Sequence, residues 1–178
     1  MRVVLGEIEY VLASSETDFT ELKSFICRAE RIVCVGAGRV GLVMDAFAKR
    51  LVHLGFSAHS YWDVTLPKIG ARDLLLVGSG SGNTRSVALV AQIAKETGVS
   101  IALVTANHKS ILGDIADIKV ILNCPHKETP ASSWKSAQPM TTLFEQSLYV
   151  WLDSFVLYLI SSLEILEIEM QGRHNAIE

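Results

Sequence analysis

Between Val77 and Thr84 the chain reads Val-Gly-Ser-Gly-Ser-Gly-Asn-Thr. Ser79, Ser81 and Thr84 bring three hydroxyls into this short stretch, and Gly80 among them lets the backbone come close to a ligand. Hydroxyl and backbone N–H groups are donors, so the chemistry they suit is the binding of an anion, a phosphate group above all. The flanks agree with this. Leu74 to Val77 is an apolar run of strand type, and Val87 to Ala94 has the length and composition of a helix. A strand, a small-residue turn and a helix N-terminus make an anion site, because free N–H groups and the positive helix end both face the ligand. The alternative is a Gly/Ser turn that only connects and caps. The stretch lacks the lysine of a G-x-x-x-x-G-K-[ST] motif, which excludes a nucleoside-triphosphate loop of that kind.

A second glycine stretch, Gly36-Ala37-Gly38-Arg39-Val40-Gly41, directly follows the β-rich run Arg31 to Val35. It fits the dinucleotide fingerprint G-x-G-x-x-G, and Asp63 lies about where the ribose-binding acid belongs. An NAD-dependent enzyme is therefore one reading. Against it, 178 residues leave little room for a separate substrate domain. A second Gly/Ser/Thr loop is also superfluous for a dinucleotide, whereas a sugar phosphate can use it. Among titratable groups, Glu145 is a lone carboxylate in the apolar start of a helix, just after Pro139. It suits a general base, or merely a first-turn glutamate favoured by the helix dipole. His53, near the end of an apolar helix, titrates near neutrality and suits a proton shuttle; a core or interface imidazole is the structural alternative. If its end of that helix faces away from its own site, His53 acts only across a subunit boundary. Arg39 can neutralise an anion or form an outward ion pair. Lys135 and Gln138 flank the entry to the last helix. His59 on a strand and His108 in a turn make no metal-ligand spacing with one another, so no metal site is expected, and His126 reads as a solvent-exposed loop residue.

The elements that must hold these residues alternate. Strands are expected at Arg31–Val35, Ser57–Trp62, Asp73–Val77, Val99–Val104 and Ile118–Leu122, with helices at Leu42–Leu54, from Val87 to about Thr97, and briefly at Ser110–Gly113. Gly55 and Gly98 stop the first two helices. Such alternation implies βαβ units, a mostly parallel sheet and right-handed crossovers, with ligands at the carboxyl ends of the strands. The polar turns Gly36–Gly41, Gly78–Thr84 and Thr105–Asn107 all fall there. Two N-terminal helices precede the sheet, the second capped by Thr17 or Asp18, and no chemistry is read in them. After a loop with Pro125 and Pro130 comes one long helix, Thr142 to about Met170, followed by a polar, frayed tail from Gln171. That helix is apolar nearly all round, which favours packing on the sheet and on a second subunit.

Bulk composition sets the bounds. Hydrophobic residues make up 49% of the chain and mean hydropathy is +0.33. One domain over 1–178 is the default. A net charge of −3 without a basic block gives no nucleic-acid footprint. Asp153 and Glu164 interrupt the longest apolar segment, so no membrane span of about 20 residues is expected there. The three cysteines, Cys27, Cys34 and Cys124, lack C-x-x-C spacing and read as reduced thiols of a cytoplasmic protein.

Gly-Ser-Gly-Ser-Gly-Asn-Thr after Asp-Leu-Leu-Leu-Val resembles the phosphosugar loop of SIS (sugar isomerase) domains. Gly36 to Arg39, Arg50 to Phe56, and Gln138-Pro139-Met140-Thr141-Thr142-Leu143-Phe144-Glu145-Gln146-Ser147 resemble one branch of that superfamily, the 6-phospho-3-hexuloisomerases (3-hexulose-6-phosphate isomerases). The likeness runs over almost the whole chain. It departs at Val40, where serine is usual, and at Asn83, where glutamate is usual. The resemblance implies an α/β three-layer sandwich with a five-stranded parallel sheet, flavodoxin-like and doubly wound, with N-terminal helices and a long C-terminal helix. It also implies a cofactor-free isomerase of a phosphorylated hexulose, moving the carbonyl from C3 to C2 through an enediolate. Gly38, Arg39, Ser79, Gly80, Ser81, Thr84 and Gln138 would bind substrate, while Glu145 and His53 would move protons. A homotetramer and a pathway link to 3-hexulose-6-phosphate synthase in formaldehyde assimilation are part of the same implication. A non-catalytic SIS module that senses a phosphosugar remains the alternative.

Overall fold

Leu74, Leu75, Leu76 and Val77 are each at most 1% exposed, so the strand they form is covered on both faces. That is the environment of the middle of a parallel sheet. In the computed structural model, which describes residues 1–15, 18–126, 129 and 133–177, this strand is β3, Leu74–Gly78. Its companions are β1 (Ile32–Val35), β2 (Ala58–Ser60), β4 (Ser100–Thr105) and β5 (Ile118–Ile121). All four pairings are parallel, in the order β2-β1-β3-β4-β5.

Side chains alternate across the strands and build two cores. Ile32, Cys34, Leu74, Leu76, Ala102 and Val104 face α1 (Arg2–Ser14), α2 (Thr20–Arg28), α3 (Arg39–Leu54) and α6 (Thr142–Ser162). Val33, Val35, Leu75, Val77, Ile101 and Leu103 face α4 (Arg85–Glu96) and α5 (Ile111–Ile115). The expected three-layer, five-stranded parallel architecture is the one observed. Fully burying one such Leu or Val stabilises the fold by about 1.5–3 kcal/mol. Gly55 closes α3 in the left-handed conformation, φ 97°, as its position suggests. Asp18 accepts the Thr20 N–H at 2.9 Å; Thr17 and Pro130 lie outside the described residues.

The C-terminal helix departs from expectation. It stops at Ser162, and a second helix, α7 (Glu167–Gly172), turns back onto the end of α3. The stop is a Schellman ending: Ile165 N–H donates to Ile160 O at 3.1 Å while Glu164 sits at φ 54°. Glycine usually takes that left-handed position. Here a glutamate does, at a cost of about 1–3 kcal/mol, offset by Leu163, Ile165 and Met170 packing against the core. Without the glycine, nothing in the apolar pattern marks the break. Nor is the tail uniformly frayed, since Arg173 donates to the His53 carbonyl at 3.4 Å.

α6 has the length and hydropathy of a membrane-crossing helix. Its Phe144, Leu148, Trp151, Leu152, Phe155 and Leu159 are nevertheless buried in the core.

The cysteines separate by environment. Cys27 is exposed, whereas Cys34 and Cys124 are buried, and burial pushes both thiols up, Cys124 to about 12. A disulfide-exchange reagent at neutral pH is expected to titrate one thiol per native chain rapidly and all three in denaturant. Rapid labelling of two or three in the native state would contradict this packing.

Candidate active site

The strand order reverses direction between β1 and β3, which opens a crevice above their carboxyl ends. The two glycine stretches leave the sheet there. Gly36 and Gly41 pack so closely that a Cβ on Gly36 would lie 3.0 Å from the Gly41 nitrogen. Gly38, at φ 59°, then starts α3. Across the crevice, α4 starts at Arg85 after Thr84, whose side chain makes no capping bond. Neither helix has an acidic residue in its first turn, and each begins with an arginine. Helices usually favour Asp or Glu at that end. Two positive termini without such compensation are suited to an external anion.

The loop between β3 and α4 is held from below. Gly80 O accepts the Ala106 N–H at 3.1 Å and the Thr105 hydroxyl at 3.3 Å. Asn107 donates to Ser81 O at 3.0 Å, and Asn83 accepts the Ile111 N–H at 2.9 Å. Gly82 has φ +65°, and a Cβ there would fall 2.1 Å from Ser110 Oγ. Ser79 Oγ accepts the Gly82 N–H at 3.2 Å and lies 3.3 Å from Thr84 Oγ1. The Thr105–Asn107 turn thus acts as scaffolding for the hydroxyl loop and does not line the crevice. A loop fixed this way loses little freedom when it binds a ligand.

The crevice has a volume of about 340 Å³, within the range of small-molecule sites. It brings together Gly38, Arg39, Ser79, Gly80, Ser81, Thr84 and Glu145. Glu145 comes from the first turn of α6 and is 8% exposed. Its carboxylate is not alone, as its apolar sequence surroundings suggested. One oxygen is paired with Arg39 Nε, and the other accepts the Thr141 hydroxyl at 3.4 Å. The arginine is largely in solvent, its side chain 67% exposed.

Gln138 and His53 lie elsewhere in the chain. Gln138 donates to Glu7 of α1 at 3.0 Å and does not line the crevice. His53 follows Arg39 by almost the whole length of α3, about 20 Å at 1.5 Å per residue. Its ring stacks on His174 at 5.1 Å and its Nδ1 lies 3.5 Å from Arg50. Asp63, placed as a ribose acid in the dinucleotide reading, accepts the backbone N–H and hydroxyl of Thr65 at 2.9 and 2.7 Å. Those bonds hold its carboxyl below the usual range. Met140 and Thr141, quoted from the sequence only as part of the Gln138–Ser147 stretch and given no role there, also line the crevice. Thr141 stands one helical turn before Glu145, a spacing that lets it touch the carboxylate. Among the described residues no cluster of three His, Cys, Asp or Glu is placed to hold a metal.

Comparison with known proteins agrees with this geometry. The SIS domain family model matches residues 25–149. The 3-hexulose-6-phosphate isomerase of Bacillus subtilis is 35% identical over 165 residues, covering 93% of this chain and 88% of the relative. That of Mycobacterium gastri is 40% identical over 153 residues, covering 86% and 76%. A Methanococcus jannaschii protein, whose crystal structure was taken to infer a 3-hexulose-6-phosphate isomerase function, superposes with a TM-score of 0.85 at 28% identity, covering 99% of this chain and 98% of that one. With the hydroxyl loop, the carboxylate and the strand order all in place, the chain belongs to the SIS-domain family, in its 3-hexulose-6-phosphate isomerase branch.

Proposed function

We propose that this enzyme interconverts D-arabino-3-hexulose 6-phosphate and D-fructose 6-phosphate, and that Glu145 is the base. The observation that carries this is the meeting of the hydroxyl loop and the Glu145 carboxylate in one crevice. The phosphate would sit against Ser79, Ser81 and Thr84 at the start of α4, with Gly38 and Gly80 giving it room. The sugar chain then extends toward α6. Glu145 removes the C2 proton of the 3-hexulose, and the electron pair of that C–H bond forms the C2–C3 double bond of an enediolate. The former C3 carbonyl oxygen takes the negative charge, which Arg39 offsets. Protonation at C3 and loss of the O2 proton leave the carbonyl at C2. No atom is gained or lost, so no redox partner enters the balance.

His53 would carry the proton between the two oxygens, or assist ring opening, from a neighbouring subunit. Two depressions support this arrangement. They run along the seam of α3 and α6 from the Arg39–Glu145 pair to His53 and share Val43 and Tyr149. Leu42, Tyr149 and Val150 are exposed beside that seam, which suits the face to a second copy of the chain. A homotetramer in the cytoplasm, fed by 3-hexulose-6-phosphate synthase in the ribulose monophosphate route of formaldehyde assimilation, completes the proposal. Gln138, tied to Glu7, would serve the sugar through the segment it holds at the entry to α6.

The deciding assay is formation of fructose 6-phosphate from the synthase product. Glu145→Gln is expected to lower kcat by about 10³-fold, the scale of a general base, with fructose 6-phosphate still bound in calorimetry. Unchanged turnover in Glu145→Gln would instead favour a base elsewhere. A wild type that binds the phosphosugar without converting it would favour a sensing module. Co-expression tests the subunit boundary. Glu145→Gln and His53→Ala chains, each inactive alone, should recover about a quarter of wild-type turnover in random mixed oligomers, because intact sites then draw one residue from each parent. No recovery would place both residues' work within one chain.

A further inference from the structure

The sequence assigns α1 no chemistry, yet the helix and its C-cap hold both ends of the connection that leads into α6. Glu7, Tyr10 and Ser14 are spaced three and four residues apart, on one helix face. At the far end of the connection, Asn123 N–H donates to Ser15 Oγ at 2.9 Å, and its side chain donates to Ser14 O. At the near end, Trp134 packs on Tyr10 with ring centroids 5.0 Å apart. The Glu7 carboxylate then accepts three hydrogen bonds: from Ser136 Oγ at 2.7 Å, Ala137 N–H at 2.7 Å and Gln138 Nε2 at 3.0 Å.

Only Pro139 separates this anchor from Met140 and Thr141, both of which line the crevice. Met140 is held at φ 55°, a left-handed conformation for a residue with a Cβ, and the residue is 91% exposed at the crevice mouth. Such a conformation persists only where both flanks impose it. One flank is the first turn of α6, where Thr142 N–H donates to Pro139 O at 3.2 Å and Glu145 N–H to Thr141 O at 3.2 Å. The other is Glu7. Burial works to raise the Glu7 carboxyl, but the bonds from Ser136, Ala137 and Gln138 outweigh it and keep the group below its usual range, hence ionised and accepting at neutral pH.

We infer that Glu7 is a positioning residue for the isomerase site: by tying residues 136–138 to α1 it sets Met140 and Thr141 at the mouth of the crevice and, through Thr141, the orientation of the Glu145 carboxylate. The inference rests on the reading of that crevice as the phosphosugar site. It makes α1 a part of the substrate-binding machinery without substrate contact.

Glu7→Ala and Glu7→Gln test it with two readouts, amide hydrogen exchange over residues 134–141 and steady-state kinetics with D-arabino-3-hexulose 6-phosphate. Glu7→Ala is expected to speed exchange in that segment by about tenfold, the effect of losing its hydrogen-bonded anchor. It should also raise KM several-fold more than it lowers kcat. Glu7→Gln keeps one acceptor oxygen and should fall between Glu7→Ala and wild type in both readouts, a graded rescue that simple loss of stability would not produce. Unchanged exchange, or faster exchange with unchanged KM, overturns the inference. Absence of turnover in the wild type would overturn the isomerase reading instead. Exchange and the calorimetric affinity for fructose 6-phosphate would then decide the role of Glu7, an unchanged affinity in Glu7→Ala overturning it.

Discussion

A parallel strand can be joined to its parallel neighbour only by a crossover that returns the chain to the starting edge. In this molecule that constraint decides where charge accumulates. β1 and β3 lie side by side, but the crossovers that follow them run toward opposite edges of the sheet, so α3 and α4 cover opposite faces and begin on either side of one crevice. Each contributes unsatisfied N–H groups and a positive helix end. Neither supplies an acid of its own to answer them, and both open on an arginine. The burial of β3 on both faces anchors this junction, and the turn after it is fastened to β4 and α5 through Gly80, Ser81, Gly82 and Asn83. The fold therefore sets out rigid donors before any ligand arrives.

The carboxylate enters this positive field from the opposite side. Glu145 is nearly buried, and a buried charge without a partner is costly. Arg39 supplies the partner while remaining mostly in solvent. Removing that partner with nothing in its place would leave Glu145 an uncompensated, nearly buried charge. The guanidinium itself lies mostly in solvent, so it can meet a ligand's negative charge while it still neutralises the carboxylate.

The architecture was legible because its signals are local: β-branched and leucine-rich runs, glycines where helices stop, hydroxyls where a strand ends. Ser79, Ser81, Thr84 and Glu145, which line one crevice, stood out for the same reason, each being an unusual residue type for its place in the hydrophobic pattern. What escaped depends on contacts between distant segments. The Glu7 anchor spans well over a hundred residues, and nothing in the helical spacing of α1 distinguishes that glutamate from a solvated one. The end of α6 escaped because its left-handed residue is Glu164 and not glycine. The separation of His53 from the crevice follows from the length of α3, which carries it about 20 Å from Arg39.

The reversal at Glu164 carries a practical consequence. Because α7 folds back, Arg173 and His174 come to rest against His53, and the Arg173 guanidinium packs over Gly55. An imidazole and a helix end more than a hundred residues earlier thus share one cover. Any substitution at Glu164 that sent the chain straight on would strip His53 and Gly55 of these contacts together.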